Sequence, residues 1–178
     1  WIKARSTAEN ARIADTSRGV GDGTDETKWL IPQDAGTEES STEFASIGSD
    51  SFTLNTSDAK LNSGSHTYVA WAWKANGGTR TTNTESGNNP AGGYQANTTA
   101  GFSIVDYTGT GATGTMAHGL GAVPDFYMIR NREEVQDWMG YHVGTASDPE
   151  TDGMRLNTDD GLTDAATFWN DTEPTSTV

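Results

Sequence analysis

Apolar side chains in this chain alternate with polar ones over short stretches, and no run keeps helical spacing for more than a turn or two. Phe102, Ile104 and the neighbouring Val105 and Tyr107 predict one strand over 102–107, closed by the glycine-rich stretch 108–114. Residues 125–131 predict another, set off from the preceding turn by Pro124, which holds the residue before it extended. Residues 136–143 are expected to pair with it as a hairpin across the polar connection Asn131-Arg132-Glu133-Glu134. Short strands are predicted at 153–157 and 166–169, and a further one at 67–74. In that last strand Tyr68, Ala70 and Ala72 share one face and Val69, Trp71 and Trp73 the other, the second being the expected core face. Residues 7–12 have some helical propensity, yet their context favours loop and strand. Many short strands, with turn residues about every eight to twelve positions, predict an all-β chain of antiparallel β-sandwich units, jelly-roll or lectin-like in kind.

The pattern occurs twice. Trp1-Ile2-Lys3-Ala4-Arg5, followed by Asp15-Thr16-Ser17-Arg18-Gly19, returns as Met128-Ile129-Arg130-Asn131-Arg132, followed by His142-Val143-Gly144. Lys28-Trp29-Leu30 then answers to Met154-Arg155-Leu156, and Phe44 to Phe168-Trp169. The first copy continues into the strand at 67–74; the second displays what precedes the shared motif. Each copy is expected to be partial, and one reassembled unit runs to about a hundred residues, ordinary for a small domain. Residues 76–97 are almost free of apolar side chains and predict a linker, because such a segment buries too little to offset its ordering entropy. The expected organisation is the C-terminal part of one sandwich at 1–75, a Gly/Asn/Thr-rich linker at 76–97, and the N-terminal part of a second at 98–178.

Composition narrows the partners. Asp and Glu number 25 against 11 Lys and Arg, a net charge of −14, which excludes the basic footprint of a nucleic-acid binder. No stretch approaches the roughly 20 apolar residues of a membrane-spanning helix. Cysteine is absent, so disulfides and thiolate metal sites are excluded and packing or assembly must supply the stability.

Little of the polar inventory has the spacing of known chemistry. His118-Gly119-Leu120-Gly121 is the most motif-like patch; the histidine is either a ligand or base, or a backbone hydrogen-bond partner beside Pro124 in a turn of positive-φ glycines. The three histidines, at 66, 118 and 142, lack ligand spacing. The acids at 148, 150, 152, 159, 160 and 164 suggest a hard cation but lack the alternating Asp spacing of a calcium loop, and a solvated acidic loop is expected. The glycines at 109–114 have neither the lysine nor the helix of a phosphate cradle. No serine sits in a Gly-x-Ser-x-Gly elbow. Trp29, Trp71, Trp73, Trp138, Tyr141 and Trp169 are either core or a platform on which sugars stack.

Taken in order, Gly101-Phe102-Ser103-Ile104-Val105, His118-Gly119-Leu120-Gly121 with Pro124, Ile129 with Asn131-Arg132, Asp137-Trp138, Tyr141-His142, Trp169-Asn170-Asp171-Thr172 and Tyr68-Val69-Ala70-Trp71 with Trp73-Lys74 resemble a tandem-repeat domain of tail fibre and other virion surface proteins of marine and cyanophage-type bacteriophages. The resemblance covers most of the chain outside 76–97. It implies a β-rich virion structural protein at the particle surface, a fibre or decoration module used in host attachment. Implied partners are other virion proteins, further copies of the chain (a trimer by analogy) and a host surface glycan, with no nucleic acid and no membrane insertion. It transfers no catalytic residue, so no enzymatic activity, metal or cofactor is expected. The alternatives are a virion-associated polysaccharide-degrading enzyme and a spacer that binds nothing. The first copy has Ala4, Ala11 and Ala14 where the second has Asn131, Trp138 and Tyr141. The second copy is therefore the expected binding module, with Trp138, Tyr141, His142 and His118 as its candidate ligand-binding residues.

Overall fold

The computed structural model describes residues 1–18, 27–55, 58–75, 79–84 and 86–178. The described chain is all-β: its regular elements are short strands in small sheets, antiparallel wherever the register is defined, plus two single-turn 3-10 segments. It divides into two compact units. The first comprises Trp1–Ala72, Ile129–Met139 and Arg155–Asp160, so it draws residues from both sides of 76–97; the second comprises Trp73–Met128, Gly140–Met154 and Gly161–Val178.

In the first unit, β1 (Ile2–Ala4) precedes β2 (Thr27–Trp29), β3 (Glu39–Ser41), β4 (Phe44–Ile47), β5 (Phe52–Leu54) and β6 (Tyr68–Ala70). β1 pairs antiparallel with β6, Ile2 opposite Ala70 and Ala4 opposite Tyr68. On its other side Ile2 bridges Arg12, Ile13 bridges Leu30 at the end of β2, and β2 pairs with β3. Isolated bridges thus carry one ladder from β6 through β1, residues 12–13 and β2 to β3. Alternation fixes its inner face: Ile2 and Ala4 are buried with Lys3 between them, and Thr27 and Trp29 with Lys28 between them. Ile2, Trp29 and Leu61 form the core, with Ala14, Leu54 and Tyr68 packed on it. β4 and β5 make a separate hairpin whose register shifts between Phe44 and Ser46.

Of the 67–74 strand, neither face is the core face expected: Tyr68 and Val69 are half-buried and Ala70 to Lys74 are exposed. Tyr68 packs on the core, whereas Trp71 and Trp73 are 48% and 56% exposed. Two causes combine. The strand proper ends at Ala70, so the pleat does not carry the alternation on to the tryptophans. The Tyr68 hydroxyl accepts from the Ser63 amide and donates to the Ala59 carbonyl, each at 2.8 Å, and with both roles filled its ring is buried at little polar cost.

The first unit also holds a network of four ionic groups. Glu38 receives Arg132 through both carboxylate oxygens at 2.6 and 2.7 Å, and Arg18 at 2.8 Å; Arg18 in turn pairs with Asp15 at 2.6 Å. Asp15-Thr16-Ser17-Arg18 and Ile129-Arg130-Asn131-Arg132 are the signatures of the two sequence copies, and one carboxylate joins them.

In the second unit, β7 (Thr81–Asn83), β8 (Gly92–Asn97) and β9 (Phe102–Tyr107) form a three-stranded antiparallel sheet in that order. The linker expected at 76–97 therefore contains two strands, with 76–78 and 85 outside the described residues. Its polar composition misleads because a ladder needs backbone groups rather than apolar side chains. β8 pairs with β9 over its whole length, from Gly92 opposite Tyr107 to Asn97 opposite Phe102. Arg80 then clamps the sheet with a two-pronged pair to Asp106 at 2.7 and 2.9 Å.

The remaining strands, β10 (Phe126–Ile129), β11 (Met139–His142), β12 (Asp152–Arg155) and β13 (Thr163–Asp164), form a four-stranded sheet in sequence order and belong mainly to the second unit. The expected 125–131/136–143 hairpin and the strand at 153–157 are present within a few residues. The strand expected at 166–169 is instead a 3-10 turn, Phe168–Asp171. Strand for strand, β1, the bridged pair 12–13, β2 and β3 occupy the places of β10, β11, β12 and β13, so the sequence repeat is a repeat of strand order.

Candidate functional site

The aromatic cluster of the second unit is built on the β10/β11 hairpin. Alternation turns Tyr127 and Tyr141 to the same side as a cross-strand pair, their rings stacked with centroids 4.8 Å apart and 13° between planes. Trp169 meets both edge-on, at 4.9 and 6.1 Å, and its indole N–H donates to the Asp152 carbonyl at 2.8 Å. Burial, reinforced by the neighbouring phenols, pushes the Tyr127 hydroxyl far above the ordinary tyrosine range. Tyr141 is raised by burial first and then by Glu173, Glu150 and Asp125. Both phenols stay neutral, and the cluster offers neither a base nor a nucleophile.

Trp169 reaches this position through an unusual backbone. Trp169, Asn170 and Asp171 have φ of 48°, 55° and 49°, three successive left-handed residues without a glycine. The Thr172 hydroxyl donates to the Asn170 carbonyl at 2.9 Å and Thr113 to its side-chain oxygen at 3.3 Å. Asp171 is exposed, so Asp171→Gly is expected to stabilise the chain by about 0.5–1 kcal/mol by relieving the left-handed strain. Thermal unfolding of the two chains side by side reads this; an unchanged or lower midpoint counts against it.

The expected ligand residues fall in different places. Trp138 lies in the first unit, 3% exposed, its indole N–H on the Ile31 carbonyl at 2.9 Å and the Arg130 guanidinium 5.8 Å from its ring centroid. Tyr141 is 2% exposed beneath the cluster. Both are core residues, and the faces expected to meet a ligand are covered by protein. His142, next to Tyr141 on β11, is exposed; its Nδ1 accepts from the Gly144 amide at 2.9 Å and its ring lies 6.3 Å from Phe126. His118 is a turn residue: Nδ1 accepts from the Leu120 amide at 3.1 Å, which leaves the proton on Nε2 to donate to the Thr175 carbonyl at 3.1 Å. Gly119, with φ of +73°, is required here, since a Cβ would stand 2.0 Å from the Tyr94 ring. Among the described residues no three His, Cys, Asp or Glu side chains gather as a metal site.

One protein-family model matches this chain, and it runs over residues 1–178. The chain belongs to that family, described as "Domain of unknown function (DUF7483)". No curated protein and no solved structure matches it. The DUF7483 match takes in both sequence copies, so the repeated strand order lies within the span of one family domain.

Two side chains of this DUF7483 chain, read from the alternation as core, are instead the most open of the aromatics among the described residues. In the second unit Trp73 stacks on Phe102 with centroids 6.0 Å apart and 20° between planes, and more than half of it is open to solvent. In the first unit Trp71 meets Trp1 edge-on at 6.3 Å and is nearly half open. The signal for both was their place at the end of a strand, beyond the reach of its pleat. The second unit also has a depression of about 160 Å³, lined by Asn83, Asn89, Pro90, Thr115 and Met116 among others. The Asn89 side-chain oxygen there accepts from the Thr115 amide at 2.9 Å and from its hydroxyl at 3.2 Å.

Proposed function

We propose that this chain is a structural module of a bacteriophage virion surface, a fibre or decoration protein whose sandwich-like β units meet host glycans during attachment. The observation that carries the reading is the repeat: two copies of one motif string, each laid out as the same succession of strands, in a chain without cysteine and with strong negative charge. Repeated small β units suit extension from a particle, and the motif string is the one that resembles phage surface repeats. Within this reading the contact surface is Trp73 on Phe102 rather than the buried Trp138 and Tyr141. An indole braced from one side and open on the other suits the C–H-rich face of a sugar ring.

The test is binding of the purified chain to host cells and to their isolated surface polysaccharide, with the length of the polysaccharide followed in the same samples. Retention without shortening is expected. Trp73→Ala is expected to abolish retention while shifting stability by no more than about 1 kcal/mol, since the ring is largely exposed. Shortening of the polysaccharide points to a degrading enzyme and overturns the reading, as does silence on every host surface, which leaves a spacer. Gold-labelled antibody against the chain places it on the particle or off it.

A further inference from the structure

We infer that one face of the sheet β7–β8–β9 binds a short neutral oligosaccharide, laid along β9 from Trp73 at one end to the Arg80–Asp106 pair at the other. The inference rests on the attachment reading above and adds to it the path, the length and the chemical class of the glycan. Register sets the face. Asn97 stands opposite Phe102, Gln95 opposite Ile104 and Gly93 opposite Asp106, so these residues turn to one side of the sheet, and Thr82, opposite Gly93, joins them. The other side is taken by the turn that follows β9: Tyr94 lies against Gly119, and the Ser103 hydroxyl donates to the His118 carbonyl.

Each end of that face is held in place. At one, the Asn97 side-chain amide donates to the Lys74 carbonyl at 3.1 Å and ties residues 73–74 to the end of the sheet, where Trp73 stacks on Phe102. At the other, the Arg80 guanidinium lies over Gly93, where a Cβ would stand 2.6 Å from its central carbon, and grips both oxygens of Asp106 through Nε and Nη2. That fork leaves Nη1 without a hydrogen bond among the described residues, and both side chains stay partly open to solvent. Nη1 and the spare lone pairs of the carboxylate are thus a donor and an acceptor fixed in advance, which a ligand orders at little further entropy cost. The indole suits the C–H face of one sugar ring, and this pair suits the hydroxyls of another. From Phe102 to Asp106 the strand rises about 13 Å, room for roughly two to three rings. Charge sets the class. Arg80 and Asp106 neutralise each other, and the chain carries −14 overall, a field that repels a polyanionic glycan. Lys74, exposed beside Trp73, is a single positive charge against that background, and uronate binding is therefore an outcome of the test.

The experiment is an NMR titration of the full chain with glucan, mannan and galactan oligosaccharides of increasing length, and with oligouronates of matching length. At least one neutral series is expected to shift the Trp73 indole together with amides along β8 and β9. Its affinity is expected to rise about tenfold from monosaccharide to trisaccharide and then level off, to change little with added salt, and to exceed that of the uronates by about tenfold or more. Arg80→Lys keeps a charge beside Asp106 but loses the fork and the flat guanidinium. It is expected to weaken the trisaccharide about tenfold and leave the monosaccharide unchanged, with hydrogen exchange of β8 and β9 confirming that the sheet persists. Shifts confined to Trp73 and Phe102, with no gain from length, overturn the inference while the attachment reading stands. A preference for uronates that fades with salt overturns it likewise. Silence of every series overturns it too, and retention on host cells then tells whether the attachment reading falls with it.

Discussion

Changing Trp138 to alanine is expected to cost about 3–5 kcal/mol, the usual price of deleting a buried tryptophan. The side chain is 3% exposed in the first unit, so its removal opens a cavity rather than a surface notch. Two polar consequences add to the lost volume. The Ile31 carbonyl, on a residue itself 7% exposed, loses the indole N–H that reaches it at 2.9 Å, and an unpaired buried acceptor costs about 1–3 kcal/mol. The Arg130 guanidinium, already held below its ordinary pKa by burial, loses the ring it lies over. Trp138→Phe separates the terms, keeping most of the apolar bulk while dropping the N–H, and is expected to cost about 1–3 kcal/mol. Urea midpoints of the three chains give the series. A Trp138 that served as a ligand platform would give the opposite result, a midpoint shifted by no more than about 0.5 kcal/mol, as at ordinary surface sites.

That contrast marks how far the residues could be read one at a time. The alternation of 125–131 and 136–143 needed only neighbours in sequence, and the hairpin follows from it. Whether an aromatic on such a strand is core or platform depends on what arrives from elsewhere. For Trp138 it is Ile31 and Arg130; for Tyr141 it is Trp169, carried in by a left-handed turn that no local propensity favours. Tyr68 and Trp71 illustrate the same limit. By hydrophobicity the tryptophan belongs inside, yet the tyrosine goes in because Ser63 and Ala59 satisfy its hydroxyl.

The strands at 81–83 and 92–97 escaped for a different reason. A segment of Thr, Asn and Gly buries little, and composition reads it as linker, but its backbone is complementary to that of β9 and its glycines admit a close neighbour. A Cβ at Gly93 would stand 2.3 Å from the Thr81 carbonyl oxygen, so the pairing of β7 with β8 depends on the missing side chain. The repeat, by contrast, was legible in full, because it is a property of the residue string alone. Its structural meaning, one strand order laid down twice, follows once the isolated bridges at Arg12 and Ile13 are counted with the strands.

Glu38→Gln is expected to cost about 3 kcal/mol at neutral pH, near the lower end for breaking a buried ionic contact. The substitution keeps the shape and removes the charge on which two guanidinium groups converge. Arg132, with 39% of its side chain exposed, turns back to water at modest cost; Arg18, with 6%, remains buried with only Asp15 to offset it. The pH dependence distinguishes this from a packing defect. Burial by itself would raise the Glu38 pKa, but the forked bonds and charge of Arg132, followed by the charge and bond of Arg18, outweigh it and hold the carboxyl below its ordinary value of 4.5. A depressed carboxylate stabilises the fold fully above the unfolded value, where both states are ionised. As the pH falls below it the unfolded chain takes up the proton first, and the stabilisation is lost through the folded pKa. The native chain and the Glu38→Gln chain should therefore differ most above pH 4.5 and converge in acid. Urea midpoints measured in steps from neutral pH down to about pH 3 test this, the remaining carboxylates contributing alike to both chains. A gap that stays constant across that range, or no gap at neutral pH, would mean that the network joining the two motif copies adds nothing by the charge of Glu38.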